Sequence, residues 1–114
     1  MSFQFERSER EGVTVLSLHG NLDAATAAGL KKEVVVLTDA GKVRVAVDLA
    51  KLTLIDSTGV GVLISLFKRA RAAGGTVHFA GLVGQPKEIF RLLRLDKSLD
   101  LHPTLDAAVE KIKV

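Results

Sequence analysis

The tripeptide Asp56-Ser57-Thr58 places a carboxylate and two hydroxyls together between an apolar stretch and an amphipathic repeat. Side-chain acceptors at such a junction can satisfy the N–H groups that the first turn of a helix leaves unpaired. A hydroxyl displayed there can also carry a phosphate, because an anion at a helix N-terminus meets free N–H groups and the positive end of the helix dipole. The modified form should therefore stay folded, and any switch has to act on a partner. A phosphate adds about −1.5 to −2 charges, and beside Asp56 it places like charge at the edge of whatever surface forms there. By chemistry alone Ser57 and Thr58 are both acceptors of that group.

Gly59 and Gly61 follow at once, and each costs about 1 kcal/mol against Ala inside a helix. Two of them near a helix start imply that something approaches the backbone closely. Spaced at 100° per residue, Val60, Leu63, Ile64, Phe67 and Ala70 share one arc and are expected to face the core. Gly61, Val62, Ser65, Leu66 and Arg69 point elsewhere. That second arc is small, partly apolar and ends in a cation, which suits a docking surface, although a helix lying between layers also exposes an occasional Val or Leu. Arg71 lies near the core arc, where its stem can run along apolar surface with the guanidinium in water.

Other chemistries find little support. His19, His78 and His102 show no metal-ligand spacing and no acidic partner pattern, so no metal site is expected. Gly59-Val60-Gly61 lacks the third Gly of a dinucleotide loop and the Gly-Lys-Ser/Thr of a nucleotide loop. Nucleic acid is not the expected partner either, since the chain has five Phe but no Trp or Tyr and a net charge of only +3. No base and nucleophile pair is visible, and no cofactor is implied.

The elements that must position Asp56-Ser57-Thr58 can be read from periodicity. Residues 3–8 alternate as a half-buried strand, and after Arg10-Glu11-Gly12 residues 13–18 form a second strand, making an opening hairpin. Asn21-Leu22-Asp23 provides a cap for a helix over 24–40, with Ala27, Leu30, Val34 and Leu37 on one stripe and Gly41 at its end. The run Val34-Val35-Val36-Leu37 also favours a strand by its β-branched side chains. Residues 43–49 alternate as a strand, 50–55 read as a short connection, and 57–73 form the second helix, closed by Gly74-Gly75. A strand over 76–80, a helix from about Pro86 to Arg94 and a last helix capped by Thr104 complete the order β-β-α-β-α-β-α-α. The predicted fold class is α/β: a single domain over residues 1–114, with a mixed β-sheet and about four packed helices.

Composition agrees with that frame. The chain has 114 residues, 47% hydrophobic and 25% charged, enough for one core without staples and too little for a second domain. Zero Cys removes disulfides, thiolate metal sites and thiol nucleophiles, and is compatible with a reducing compartment. The start Met1-Ser2-Phe3-Gln4-Phe5-Glu6-Arg7 lacks the basic and apolar pattern of a secretion signal, and no apolar run approaches the roughly 20 residues of a spanning helix. A cytoplasmic address without direct membrane insertion is therefore expected. Seven basic and two acidic residues between Lys68 and Lys97 point to one basic face.

Taken together, these residues resemble the STAS domain family, and within it the bacterial anti-sigma factor antagonists. The resemblance runs nearly the whole chain. It covers Gly20-Asn21-Leu22-Asp23 before the first helix, Val47-Asp48-Leu49, and Ile55-Asp56-Ser57-Thr58-Gly59-Val60-Gly61-Val62-Leu63. The Gly74-Gly75 pair and Thr104-Leu105-Asp106-Ala107-Ala108 extend it. Its specific part is the Asp-Ser-x-Gly core.

The resemblance implies partner switching. Ser57, rather than Thr58, would be phosphorylated by an anti-sigma factor that is itself a serine kinase with a histidine-kinase-like ATP site. The unphosphorylated chain would sequester that kinase and free a sigma factor, and a metal-dependent PP2C-type serine phosphatase would restore it. The chain would be a substrate and a binder, not an enzyme. Asp23 is expected near the Ser57 end of the sheet, either orienting the hydroxyl, meeting the kinase or merely capping the first helix. The partner-binding set is Asp23, Asp56, Ser57, Thr58, Gly59, Gly61, Val62, Ser65, Leu66 and Arg69. Rival readings are an accessory STAS subunit of a lipid or anion transporter, in which Ser57 is never modified, and a small nucleotide-binding protein. Two features depart from the family pattern: the basic stretch, and Arg94 where many members have Gly after the third helix.

Overall fold

The computed structural model describes residues 2–113; Met1 and Val114 of the expected 1–114 domain lie outside them. Five strands form one sheet in chain order: β1 (Phe3–Arg10), β2 (Val13–Leu22), β3 (Arg44–Ile55), β4 (Thr76–Ala80) and β5 (Asp100–His102). β1 and β2 are antiparallel, and every later neighbour is parallel. The parallel pairs need crossovers, and the helices supply them. α1 (Ala27–Asp39) joins β2 to β3, and α2 (Ser57–Ala72) joins β3 to β4. α3 (Gly84–Leu92) and the single turn α4 (Leu95–Ser98) join β4 to β5, and α5 (Leu105–Lys113) closes the chain.

Strand alternation divides the core. Leu16, Leu18, Leu22, Val45, Val47, Val77 and Phe79 point to one face, where they meet Leu30, Val34 and Leu37 of α1, Leu63 and Leu66 of α2 and Phe90 of α3. Val13, Val15, Ala46 and Ala80 point to the other, under Ala108, Val109 and Ile112 of α5. Phe79 and Phe90 meet edge to face with ring centroids 6.1 Å apart.

The expected hairpin is present, with Glu11 and Gly12 both at positive φ (53° and 82°), the backbone of a two-residue turn between twisted strands. The valine run is helical because its stripe decides it: Val34 and Leu37 are buried while Val35 and Val36 face out. Thr104 caps α5 as read from sequence, its Oγ1 accepting the Ala107 N–H at 3.1 Å.

Several boundaries differ. β2 runs to Leu22 and β3 to Ile55, so the expected connection over 50–55 is strand. Register shifts near Ser17–Asn21 break the period of two, leaving Leu52 and Ile55 buried three residues apart. α1 begins at Ala27, not Ala24, because Asp23 first holds a separate turn. α4 and β5 were not foreseen, since one turn and three residues are too short to show a period. Arg94 takes the left-handed conformation (φ 58°) between α3 and α4, so this helix end keeps the backbone that Gly would favour.

Candidate functional site

The site is built where β2 and β3 end side by side. Asp56, extended at the N-cap of α2, accepts the Gly59 N–H on Oδ1 at 2.9 Å and the Ala24 N–H on Oδ2 at 3.0 Å. Its own N–H donates to the Leu22 carbonyl at 3.2 Å. One side chain thus caps α2 and fastens the β2–α1 loop to the β3–α2 turn. The Gly59 N–H, followed by those of Ala24, Thr58 and Asp56 itself, holds the Asp56 carboxyl below the usual carboxylate range against an opposing effect of burial.

Gly59 is the second fastener. A Cβ there would lie 2.7 Å from the Leu22 carbonyl oxygen and 2.8 Å from Ile55 Cγ1 and Leu22 Cγ. The close approach inferred from this glycine is made by the domain's own β2. Gly59 is buried and offers no surface to a partner, which corrects its place in the expected binding set. Gly61 is different: it is exposed, and a Cβ would meet nothing within 4 Å.

Ser57 and Thr58 occupy the first turn of α2, both exposed. Asp23 stands on the neighbouring loop, next to the Ala24 that binds Asp56. Its Oδ1 accepts the N–H groups of Ala25 at 2.9 Å and Thr26 at 3.1 Å, so the capping expected of it is spent on its own turn, ahead of the helix. Thr26 completes that turn, its hydroxyl donating to the Asn21 carbonyl at 2.8 Å.

Beside this corner a groove of about 520 Å³ runs between α1 and α2. Ala24, Ala28 and Lys31 line one wall and Thr58, Gly61 and Ser65 the other, with the nearly buried Ala27 and Val62 between them. Gly61 and Ser65 therefore lie on an accessible surface continuous with the Ser57 turn.

Two other members of the expected arc are buried, and the third, Arg69, is part-exposed but already engaged. Val62 is 6% exposed and Leu66 0%, both in the main core. A single apolar arc presumes one buried side, but α2 is covered by the sheet and by α1, so its buried arc is wider, while Ile64 and Phe67 are only half-buried. Arg69 donates from Nε to Thr38 Oγ1 at 2.9 Å and from its terminal nitrogen to Asp39 Oδ1 at 3.1 Å. It clamps α2 to the end of α1, roughly 18 Å along the helix from Ser57. Arg71 stays exposed with its guanidinium 5.4 Å from the Phe67 ring centroid, as its position suggested.

The sequence reading missed the partnership of His78 and His102. Parallel pairing of β4 with β5 stacks the rings, and His78 Nδ1 lies 2.7 Å from His102 Nε2. Asp100 is 3.9 Å from His78 Nε2. Burial pushes the His78 imidazole below its ordinary pKa, Asp100 acting in the opposite sense. No spacing could have paired the two rings without β5.

Residues 4–108, which reach across all five strands of the sheet and include the Asp56-Ser57 turn at the head of α2, match the STAS domain family model. The chain belongs to the STAS domain family. It is similar to the anti-sigma-B factor antagonist of Bacillus subtilis, 23% identical over 110 residues that cover 96% of this chain and 100% of that protein. It is also similar to the anti-sigma-F factor antagonist RsfB of Mycobacterium tuberculosis, 27% identical over 109 residues, 93% of this chain and 86% of that one. The crystal structure of an anti-sigma factor antagonist from Mycobacterium paratuberculosis superposes with a TM-score of 0.90 at 23% identity, covering 99% of this chain and 96% of that one.

Proposed function

We propose that this chain is an anti-sigma factor antagonist, a binding module switched by phosphorylation at Ser57. Unmodified, it sequesters an anti-sigma factor serine kinase and frees a sigma factor; a PP2C-type serine phosphatase reverses the modification. Among the described residues no helix is long and apolar enough to cross a membrane, and the proposed work is done at a protein surface.

The observation that carries this reading is the exposure of Ser57 at the first position of a helix capped by Asp56, on a surface continuous with the open groove at Gly61. A phosphate there points to solvent and can be accepted by the helix N-terminus. It also brings charge beside the Asp56 carboxylate, which already receives the nearest N–H groups. Burying that charge unpaired under a partner costs several kcal/mol, whereas about 2.7 kcal/mol changes affinity a hundredfold. Similarity to antagonists over nearly their whole length supports the same reading.

The test is incubation of the protein with host extract and ATP, followed by mass measurement of the peptide holding Ser57. Addition of one phosphate to Ser57, lost on treatment with a PP2C-type phosphatase, is expected. An unmodified Ser57 under every growth condition, with a transporter ATPase as the captured partner, would replace this reading with that of a transporter subunit.

A further inference from the structure

β1 is an outer edge of the sheet among the described residues, and its backbone is set up to receive another strand. The two-residue turn at Glu11-Gly12 is closed by a hydrogen-bonded pair, Arg10 with Val13. At the other end the Asn21 N–H donates to the Ser2 carbonyl at 3.3 Å. Even-numbered residues of β1 thus direct their backbone groups to β2, and Phe3, Phe5, Arg7 and Glu9 direct theirs outward.

Along this edge the charges are self-complementary: Glu6-Arg7-Ser8-Glu9-Arg10. With two copies placed antiparallel about a two-fold axis through Ser8, Glu6 stands opposite Arg10 of the second copy and Arg7 opposite Glu9. The same register sets outward-facing Arg7 against outward-facing Glu9, so their N–H and C=O groups bond on both sides of the axis. Moving the axis to residue 7 or 9 puts Arg7 or Glu9 opposite itself, and a half-step sets outward-facing residues against residues already bonded to β2. One register satisfies backbone and charge together.

We infer that β1 is a homodimerisation edge, at which a second copy of this chain extends the sheet. Glu6, Arg7, Ser8 and Glu9 are exposed and Arg10 partly so. Their present ion pairs, Arg7 with the partly buried Glu33 at 3.3 Å, Lys42 with Glu9 at 3.6 Å and Arg10 with Asp106 at 2.6 Å, each keep at least one exposed partner and are worth little individually. Glu9 also accepts the Thr14 hydroxyl at 2.9 Å on one oxygen, which leaves its other oxygen for Arg7 of a second copy. Dimerisation at β1 is independent of any modification of Ser57.

Sedimentation equilibrium of the full chain from micromolar to millimolar concentration tests the inference. A reversible dimer is expected, weakened roughly tenfold or more by Arg7→Glu, which sets like charges opposite each other twice across the axis. The double exchange Arg7→Glu with Glu9→Arg restores opposite charges in the same register and should restore the dimer. Glu9→Pro removes an outward N–H without touching the backbone bonds to β2, at the loss of the Glu9 acceptor of the Thr14 hydroxyl, and should leave a folded monomer, checked by circular dichroism. A wild-type monomer at millimolar concentration overturns the inference, as does a dimer indifferent to both Arg7→Glu and Glu9→Pro.

Discussion

The Asp56 carboxylate receives the Ala24 N–H across 32 positions of chain and the Gly59 N–H three positions on. Asp56→Ala should remove both bonds and lower the unfolding midpoint. Faster amide exchange is expected at Ala24 and Gly59 than at α5, and exchange measured by NMR checks it. Because the folded carboxyl titrates below its unfolded value, the stabilisation is present above the usual carboxylate pKa of 3.8 and is lost as pH falls through the lower folded value. Urea midpoints in that acid range should therefore converge for wild type and variant.

The two glycines of α2 should respond oppositely to alanine. Gly59→Ala drives a methyl into the Leu22 carbonyl and is expected to cost about 1 to 3 kcal/mol, as overpacking does. Gly61→Ala meets open space and should stabilise the helix by about 1 kcal/mol. The same methyl intrudes on the groove, so binding to the proposed anti-sigma factor partner should weaken. Denaturant titration and calorimetric binding of both variants measure the two effects.

That contrast also marks how far the sequence could be read. Asp56-Ser57-Thr58 sits at a strand-to-helix turn as expected, because capping chemistry is local. The different duties of Gly59 and Gly61 are not local: both read as helix-start glycines, and only the ends of β2 and β3 separate them. Val62 and Leu66 fell on an outward arc for a similar reason, since one helix's period cannot reveal that a second helix lies on it. Arg69 was legible as a cation but not as the clamp on Thr38 and Asp39.

The buried His78 should make stability fall in mild acid. Burial disfavours the charged His78, so the unfolded chain binds more protons as pH drops through about 6.5, and folding weakens there. Urea midpoints at about pH 7.5 and about pH 5.5 should differ for wild type, and His78→Phe should reduce the difference.

Arg94 holds a left-handed backbone that costs a side-chain-bearing residue roughly 1 kcal/mol. Arg94→Gly should raise stability by up to about that amount, offset in part by greater freedom of the unfolded chain. A thermal melt of the variant checks the sign, and an unchanged or lower midpoint would show that the arginine side chain contributes more than the strain removes.

The most direct measurement is a pair of calorimetric titrations of the anti-sigma factor kinase, one with unmodified chain and one with phosphoserine at position 57, each chain also melted alone. A loss of affinity of about a hundredfold or more, with similar melting midpoints, is expected. Equal affinities would contradict the switch, and a collapsed midpoint for the modified chain would show that Ser57 serves the fold instead.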